Sequence, residues 1–334
     1  MDINNKKILI TTGGGLGDMI VYTPALRRLK EKYPQCQVTF MTKYGNHEIL
    51  KGLPYIDKLI YIKRGKFMGR YRVLPDFYKQ DAIIFTDWQP QLLLFSRLFN
   101  VPIRAGIPRW EKHSLNDLLT YHIKAGVYKT SQYVARTHAD MIEESLGIKL
   151  DGDMDKLDVA VPSDKDKTFI DYTLSNINVN KEYMVLSPFA SMEQRDWPIE
   201  TAREFIKYVE KKYKIPVVIT GPSNKMIQSR QISLKYNLTG QTNTMQLVEL
   251  IKRAKILVTP DSGPMHIAGA VGTKCIALFS KDLPQRWAPK HNCISIYLNA
   301  KCSPCDDETA RCCKYGVYCM RNISAEMVLD KIDI

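Results

Sequence analysis

A chain of 334 residues, 45% apolar and 25% charged, is too long for a single hydrophobic core and too apolar to be disordered, so two globular domains are expected. No apolar run approaches the ~20 residues that span a bilayer, and Met1-Asp2-Ile3-Asn4-Asn5-Lys6-Lys7 enters the first strand without an apolar signal region, so the expected location is cytoplasmic. Lys and Arg number 48 against 35 Asp and Glu, a net +13, which favours anionic partners such as nucleotides, phosphorylated glycans, anionic membrane surfaces or nucleic acid.

Residues 7–12 read as a buried strand that ends in Gly13-Gly14-Gly15-Leu16-Gly17-Asp18. Residues 19–33 read as a helix with Leu26, Leu29 and Tyr33 at helical spacing, interrupted in its first turns by Pro24. Strands are expected over 37–41, 59–62 and 82–86. The stretch 58–72 carries Lys58, Lys63, Arg64, Lys66, Arg70 and Arg72 with no acid. It is a solvated loop or an acceptor-facing patch. A helix over 132–146 stops at Gly147. Residues 151–182 read as polar and turn-rich, with the interdomain linker near Val161 to Ser163.

The second half repeats the pattern. Strands are expected over 183–187, 216–220, 256–259 and 275–279, and helices over 199–213, 244–255 (with Thr244 as N-cap) and 324–332. Short β runs alternating with helices imply parallel sheets covered on both faces.

Two strand–turn–helix corners carry the chemistry. The later one is Thr259-Pro260-Asp261-Ser262-Gly263-Pro264-Met265-His266. Ser262 or Gly263 suits an N-cap and Pro264 the first helical turn. Free amides and the helix dipole there attract a phosphate. The Asp261 carboxylate would rather accept from sugar hydroxyls. His266 is either a ligand contact or a core histidine. Ser187-Pro188-Phe189-Ala190-Ser191 and Thr220-Gly221-Pro222-Ser223-Asn224-Lys225 also follow strands, and the latter lines a nucleotide pocket or is a plain turn. Arg195 is a candidate phosphate partner, since its forked donors match phosphate oxygens.

The first corner is glycine-rich without being a dinucleotide fingerprint, because Asp18 or Ile20 stands where the final glycine should be. Asp18 therefore either does chemistry or stabilises the start of its helix. Five of eight cysteines fall in one segment: Cys302 and Cys305, adjacent Cys312 and Cys313, and Cys319. This spacing resembles a tetrathiolate knuckle for Zn by default, or Fe, with Cys312 and Cys313 competing for the fourth place. A disulfide set is the alternative.

Taken in order, these segments resemble the ADP-heptose heptosyltransferases, glycosyltransferase family 9. The resemblance runs through Gly17-Asp18, Thr23-Pro24-Ala25-Leu26, Arg104-Ala105-Gly106, His138-Ala139-Asp140, Arg195-Asp196-Trp197-Pro198, Leu238-Thr239-Gly240 and Asp261-Ser262-Gly263-Pro264-Met265-His266. Cys302-Ser303-Pro304-Cys305 fits a form met in some members.

The family implies an α/β GT-B fold, two Rossmann-like domains facing across a cleft. The expected division is an acceptor domain over 1–162, a donor domain over 163–322, and a closing helix over 323–334 packing back towards the first domain. It also implies inverting transfer from a nucleotide-diphospho sugar without a catalytic cofactor. Asp18 matches the general base. Asp261 and the amides after it match the donor site, joined by Arg195 (usually Lys in the family), Ser187, Thr220 and Gly221.

The expected donor is ADP-heptose. The expected acceptor is an anionic glycan or the lipopolysaccharide core, near Lys63, Arg64, Lys66 and Arg70, with room for a peripheral contact with the inner face of the membrane. The alternatives are a protein or nucleic-acid glycosyltransferase on the same scaffold and a non-catalytic zinc-knuckle protein that binds nucleic acid.

Overall fold

The computed structural model describes residues 2–42, 45–62, 73–108, 114–124, 131–180 and 182–333. The basic candidates Lys63, Arg64, Lys66 and Arg70 lie outside the described residues. The chain divides into two compact units, Met1–Ala160 and Val161–Ile334.

The first unit is built on β1 (Lys7–Thr12), β2 (Gln37–Thr42), β3 (Lys58–Tyr61), β4 (Ala82–Phe85), β5 (Ile103–Gly106) and β6 (Tyr121–His122). They form one sheet in the order β3-β2-β1-β4-β5-β6, every pair parallel. Ile8, Leu9 and Ile10 are all fully buried. Consecutive residues of a strand point to opposite faces, so this sheet is covered on both sides. Leu9, Met41, Ile60 and Ile83 share a cluster with Phe77, Leu92 and Leu93. The helices Thr23–Lys32 and Val134–Leu146 pack against each other. Pro24 acts as expected: the helical stretch breaks at Tyr22 into Leu16–Val21 and Thr23–Lys32, with Pro24 in the first turn of the second. There its missing N–H would have had no partner anyway.

The second unit carries β7 (Met184–Leu186), β8 (Val217–Ile219), β9 (Ile256–Pro260), β10 (Lys274–Phe279) and β11 (Cys293–Tyr297). Their order is β11-β10-β9-β7-β8, again wholly parallel. One face buries Met184, Leu186, Val217, Ile219, Ile256, Val258, Ile276 and Leu278 against Trp197, Phe205 and Val209. Burying side chains of this size contributes about 2 kcal/mol each.

Three local expectations are corrected. Residues 164–176 form a helix, Asp164–Asn176, rather than a turn-rich linker. Its Ser163 hydroxyl accepts from the Asp166 N–H, and the Asp166 carboxylate accepts from the Ser163 N–H, a reciprocal cap that satisfies two orphan donors. The cap of the helix Thr244–Arg253 is Asn243, not Thr244, with Gln246 completing the same reciprocal pair. The closing helix is short, Ala325–Leu329. Ala325 and Val328 are buried in the second unit's core, on the helix Ile199–Tyr213, where their apolar face completes the cluster around Phe205.

Candidate active site

Each sheet has one point where the chain reverses its direction of travel across the sheet. In the first unit β1 leads to β2 and β3 on one side, and the chain then returns to β4 on the other. In the second, β8 lies on one side of β7 and β9 on the other. Loops leaving the carboxyl ends of such neighbours diverge and open a crevice, the usual ligand position in open α/β sheets. The loops concerned are those after β1 and β4 in one unit and after β7 and β9 in the other. Both corners picked out in the sequence sit at these points.

In the first unit, Asp18 lies in the opening turn of the helix Leu16–Val21, and its Oδ2 accepts from the Gly15 N–H at 2.7 Å. The bond satisfies a helix-start donor and fixes a half-buried carboxylate at the end of β1. The glycines permit a close approach. A Cβ on Gly14 would stand 2.5 Å from Asp18 Cγ, and one on Gly13 would stand 2.2 Å from Asp87 Oδ2. Asp87, from the loop after β4, is a second carboxylate that sequence reasoning missed. Gln89 donates to it and, at 3.1 Å, to the Thr11 hydroxyl, and the Thr86 hydroxyl donates to the Thr11 carbonyl at 2.6 Å. The available signal was an acid just past the end of a wholly buried strand.

In the second unit, Asp261 follows β9 and is only 5% exposed. Burial pushes its carboxyl up to about 7; the Arg195 cation opposes the rise and nearby Asp282 adds to it. Arg195, from the short turn Glu193–Arg195 beyond β7, reaches across the switch point. Its Nη1 donates to the Asp261 carbonyl at 3.1 Å and to Oδ2 at 3.3 Å, and its Nη2 donates to the Ser191 hydroxyl at 3.0 Å. Asp282, 3.9 Å from Arg195, is held at 3.0 Å by Lys281, which also meets Asp307 at 2.9 Å.

Ser262 takes the N-cap position of the helix Gly263–Val271, but its hydroxyl turns to the Pro260 carbonyl at 3.1 Å and to Thr259 Oγ1 at 3.0 Å. It does not cap the helix, and Gly263 and Pro264 follow it half-buried. Met265 and His266 are buried beneath. His266, 2% exposed, stands edge-on to Trp287. Among the described residues its Nδ1 finds no hydrogen-bond partner. Burial, helped by Arg195, lowers its pKa to about 3, so the ring is neutral at physiological pH.

Ser187 and Thr220 are buried where the strands end, their N–H groups donating at 2.9 Å to Val258 and Leu186. A Cβ on Gly221 would lie 2.9 Å from the Phe189 ring. Lys225, the last residue of the loop picked out in the sequence, has a role there that the sequence reading did not assign. It is 6% exposed, 2.8 Å from Asp196 Oδ2 and 3.3 Å from Glu193. The Asp196 carboxylate also accepts from the Ala190 N–H at 2.7 Å. Lys225 and Arg195 thus pin the loop after β7 from two sides.

The cysteine segment is less closed than its spacing suggests. Among the described residues no group of three or more His, Cys, Asp or Glu side chains stands in an arrangement that could hold a metal. Four thiols are near neighbours all the same. Burial first, and then Cys302, Cys319 and Cys313, raise the Cys305 pKa; Cys319 is raised by burial and then by Cys302 and Cys313. Cys312 is exposed. Val317, between Cys313 and Cys319, adopts the left-handed region at φ 59°, a costly place for a β-branched residue.

The sequence profile of glycosyltransferase family 9 (heptosyltransferase) matches residues 94–315, about two thirds of the chain. The chain belongs to glycosyltransferase family 9. It is 23% identical over 316 residues to the lipopolysaccharide core heptosyltransferase OpsX of Haemophilus influenzae, covering 87% of this chain and 85% of that protein. The glycosyltransferase family 9 structure from Veillonella parvula superimposes with a TM-score of 0.84 at 19% identity, covering 99% of this chain and 97% of that one. For the ADP-heptose LPS heptosyltransferase II of E. coli the TM-score is 0.74 at 20% identity, covering 97% and 96%. The fold is GT-B, two Rossmann-like parallel-sheet domains, and this family 9 protein is a glycosyltransferase. Membership replaces the alternative of a non-catalytic nucleic-acid-binding protein. No helix among the described residues is long and apolar enough to cross a membrane.

Proposed function

We propose that this glycosyltransferase transfers heptose, with inversion, from ADP-heptose to a hydroxyl of the lipopolysaccharide core. The observation that carries the reading is the meeting of Arg195 with the buried Asp261 at the switch point of the second unit, beside the opening turn of the helix Gly263–Val271. That corner supplies a cation, backbone amides and a carboxylate, a set that suits a sugar diphosphate. OpsX is a lipopolysaccharide core heptosyltransferase and the E. coli enzyme an ADP-heptose LPS heptosyltransferase, which supports heptose, adenine and a lipopolysaccharide core as sugar, base and acceptor class.

In the reaction the acceptor oxygen bonds to the anomeric carbon as the bond from that carbon to the β-phosphate oxygen breaks. Asp18 takes the hydroxyl proton. ADP leaves with the electron pair, and Arg195 and the helix amides stabilise the charge that grows on its diphosphate. Asp261 accepts from sugar hydroxyls. On charge alone, Lys63, Arg64, Lys66 and Arg70 are assigned to acceptor phosphates, and the net +13 suits peripheral contact with an anionic inner membrane face, the reading that goes with a cytoplasmic enzyme. No group of thiols among the described residues is arranged to hold a metal as it stands; Cys302, Cys305, Cys313 and Cys319 would be the donor set for a structural Zn or Fe that fastens the segment and takes no part in the transfer.

The test is incubation with ADP-heptose and a lipopolysaccharide core acceptor lacking its heptose. The expected outcome is release of ADP and gain of one heptosyl residue by mass spectrometry. Transfer from UDP or GDP sugars, with none from ADP-heptose, would overturn the assignment.

A further inference from the structure

The cysteine segment is bound into the donor corner by a row of contacts that the transfer scheme leaves unused. Its main chain is fixed to the loop after β10: the Cys305 N–H donates to the Lys281 carbonyl at 2.9 Å, and the Ser303 hydroxyl donates to the Ser280 carbonyl at 2.7 Å. Its side chains continue inward. Asp307, between Cys305 and Cys312, holds Lys281 at 2.9 Å; Lys281 holds Asp282 at 3.0 Å; Asp282 lies 3.9 Å from Arg195, and Arg195 holds Asp261. A second tie runs from Gln194 Nε2 to the Arg311 carbonyl at 3.3 Å.

We propose that Lys281 and Asp307 are positioning residues for the nucleotide-sugar donor, through which the cysteine segment sets the Arg195–Asp261 pair. The inference rests on the reading of that pair as the donor site. The physical ground is the sequence of charges, which alternates in sign: Asp307, Lys281, Asp282, Arg195, Asp261. An isolated exposed ion pair contributes little, and Asp307 is 67% exposed, but Lys281 and Asp282 are only 12% and 20% exposed, and linked pairs inside a protein polarise one another.

Asp282 stands between two cations. While Asp307 shares Lys281, Asp282 remains within reach of Arg195. Removing Asp307 leaves Asp282 as the remaining ion-pair partner of Lys281 among the described residues. Arg195 then closes onto Asp261 and is less available to an incoming diphosphate. The cysteine segment is therefore a brace for binding the donor, and its loss shows in donor affinity before it shows in the chemical step.

The experiment measures ADP binding by calorimetry, beside UDP and GDP, for the full chain and for Asp307→Asn, Lys281→Met and Lys281→Arg. Asp307→Asn and Lys281→Met weaken binding of the preferred nucleotide about tenfold. They raise the donor KM with kcat little changed, and Lys281→Arg restores most of the affinity. Thiol counting on Asp307→Asn gives the wild-type number of reactive cysteines, so the loss is one of coupling, not of the segment's own fold. Wild-type affinity in both weakened variants would overturn the proposal. A wild-type preference for UDP or GDP would remove the ADP-heptose reading while leaving the brace to be read on that nucleotide. Failure of all three to bind the wild type would remove both.

Discussion

Arg195 donates to the main-chain carbonyl of Asp261 at 3.1 Å and to its carboxylate at 3.3 Å. One side chain thus bridges the loops that leave β7 and β9. The fork also reaches Ser191, so its plane is fixed by both loops. Replacing Arg195 by Lys keeps the charge and loses the fork, and kcat/KM should fall about tenfold or more. Replacing it by Ala leaves Asp261 buried without its cation, and unfolding stability should drop by about 3 kcal/mol. Thermal denaturation and donor kinetics on the two variants check both statements. Wild-type KM in Arg195→Ala would remove Arg195 from the donor site.

Asp18, the proposed general base, also accepts from the helix-start Gly15 N–H, and substitution can separate the two roles. Asp18→Asn keeps an oxygen able to accept from the Gly15 N–H but cannot take a proton. It should retain thermal stability and ADP binding while turnover falls about a hundredfold to ten-thousandfold. Asp18→Ala should lose as much turnover and also about 1 kcal/mol from the uncapped helix start. ADP release assays and melting curves read the two effects. Turnover near wild type in Asp18→Asn, with the helix cap intact, would leave Asp18 a structural residue only.

The uneven legibility of the sequence follows from these contacts. β1, β2, β4, β9 and β10 show as apolar runs because both faces of each are covered. β11 does not, since Cys293 and Ser295 are partly exposed and Ile294 is exposed, which hides the period. β5 and β6 are too short to show a period. The helix Asp164–Asn176 was within reach, for Ser163 and Asp166 are a capping pair at the usual spacing, but the charges around them resemble a linker. Asp18, Asp261 and Arg195 stood next to strand ends and could be found by position. Asp87 offered the same positional signal, and Lys225 stood in a loop already picked out after a strand; Lys281 and Asp282 could not be found so, because their roles depend on buried partners distant in the sequence.

Asp261 and His266 carry opposite pH signatures. Asp261 has a folded pKa raised to about 7 by burial. Its stabilising contribution is full below the unfolded value of about 4 and is lost as pH rises through about 7. His266 has a folded pKa lowered to about 3 by burial. Its contribution is full above the unfolded value of about 6.5 and is lost as pH falls towards 3. Denaturant unfolding from pH 4 to 8 should therefore show Asp261→Asn gaining on the wild type as pH rises. His266→Phe should gain on the wild type as pH falls. Parallel stability curves for wild type and Asp261→Asn would mean that Asp261 titrates alike in folded and unfolded chains.

The thiols give the last test, which turns on two adjacent cysteines. Cys313 acts electrostatically on Cys305 and Cys319, whereas Cys312 is exposed. If the segment holds a metal through Cys302, Cys305, Cys313 and Cys319, elemental analysis of protein prepared without oxygen should find about one Zn or Fe per chain. Cys312→Ser should keep it, and Cys313→Ser should lose it together with several degrees of melting temperature. An iron site of this kind would also absorb visible light, and a zinc site would not. Equal metal content in the two variants would show that Cys313 is no ligand. A metal-free wild type with the same melting temperature before and after chelation would show that the protein fold alone fastens the segment, through Ser303, Cys305 and Asp307.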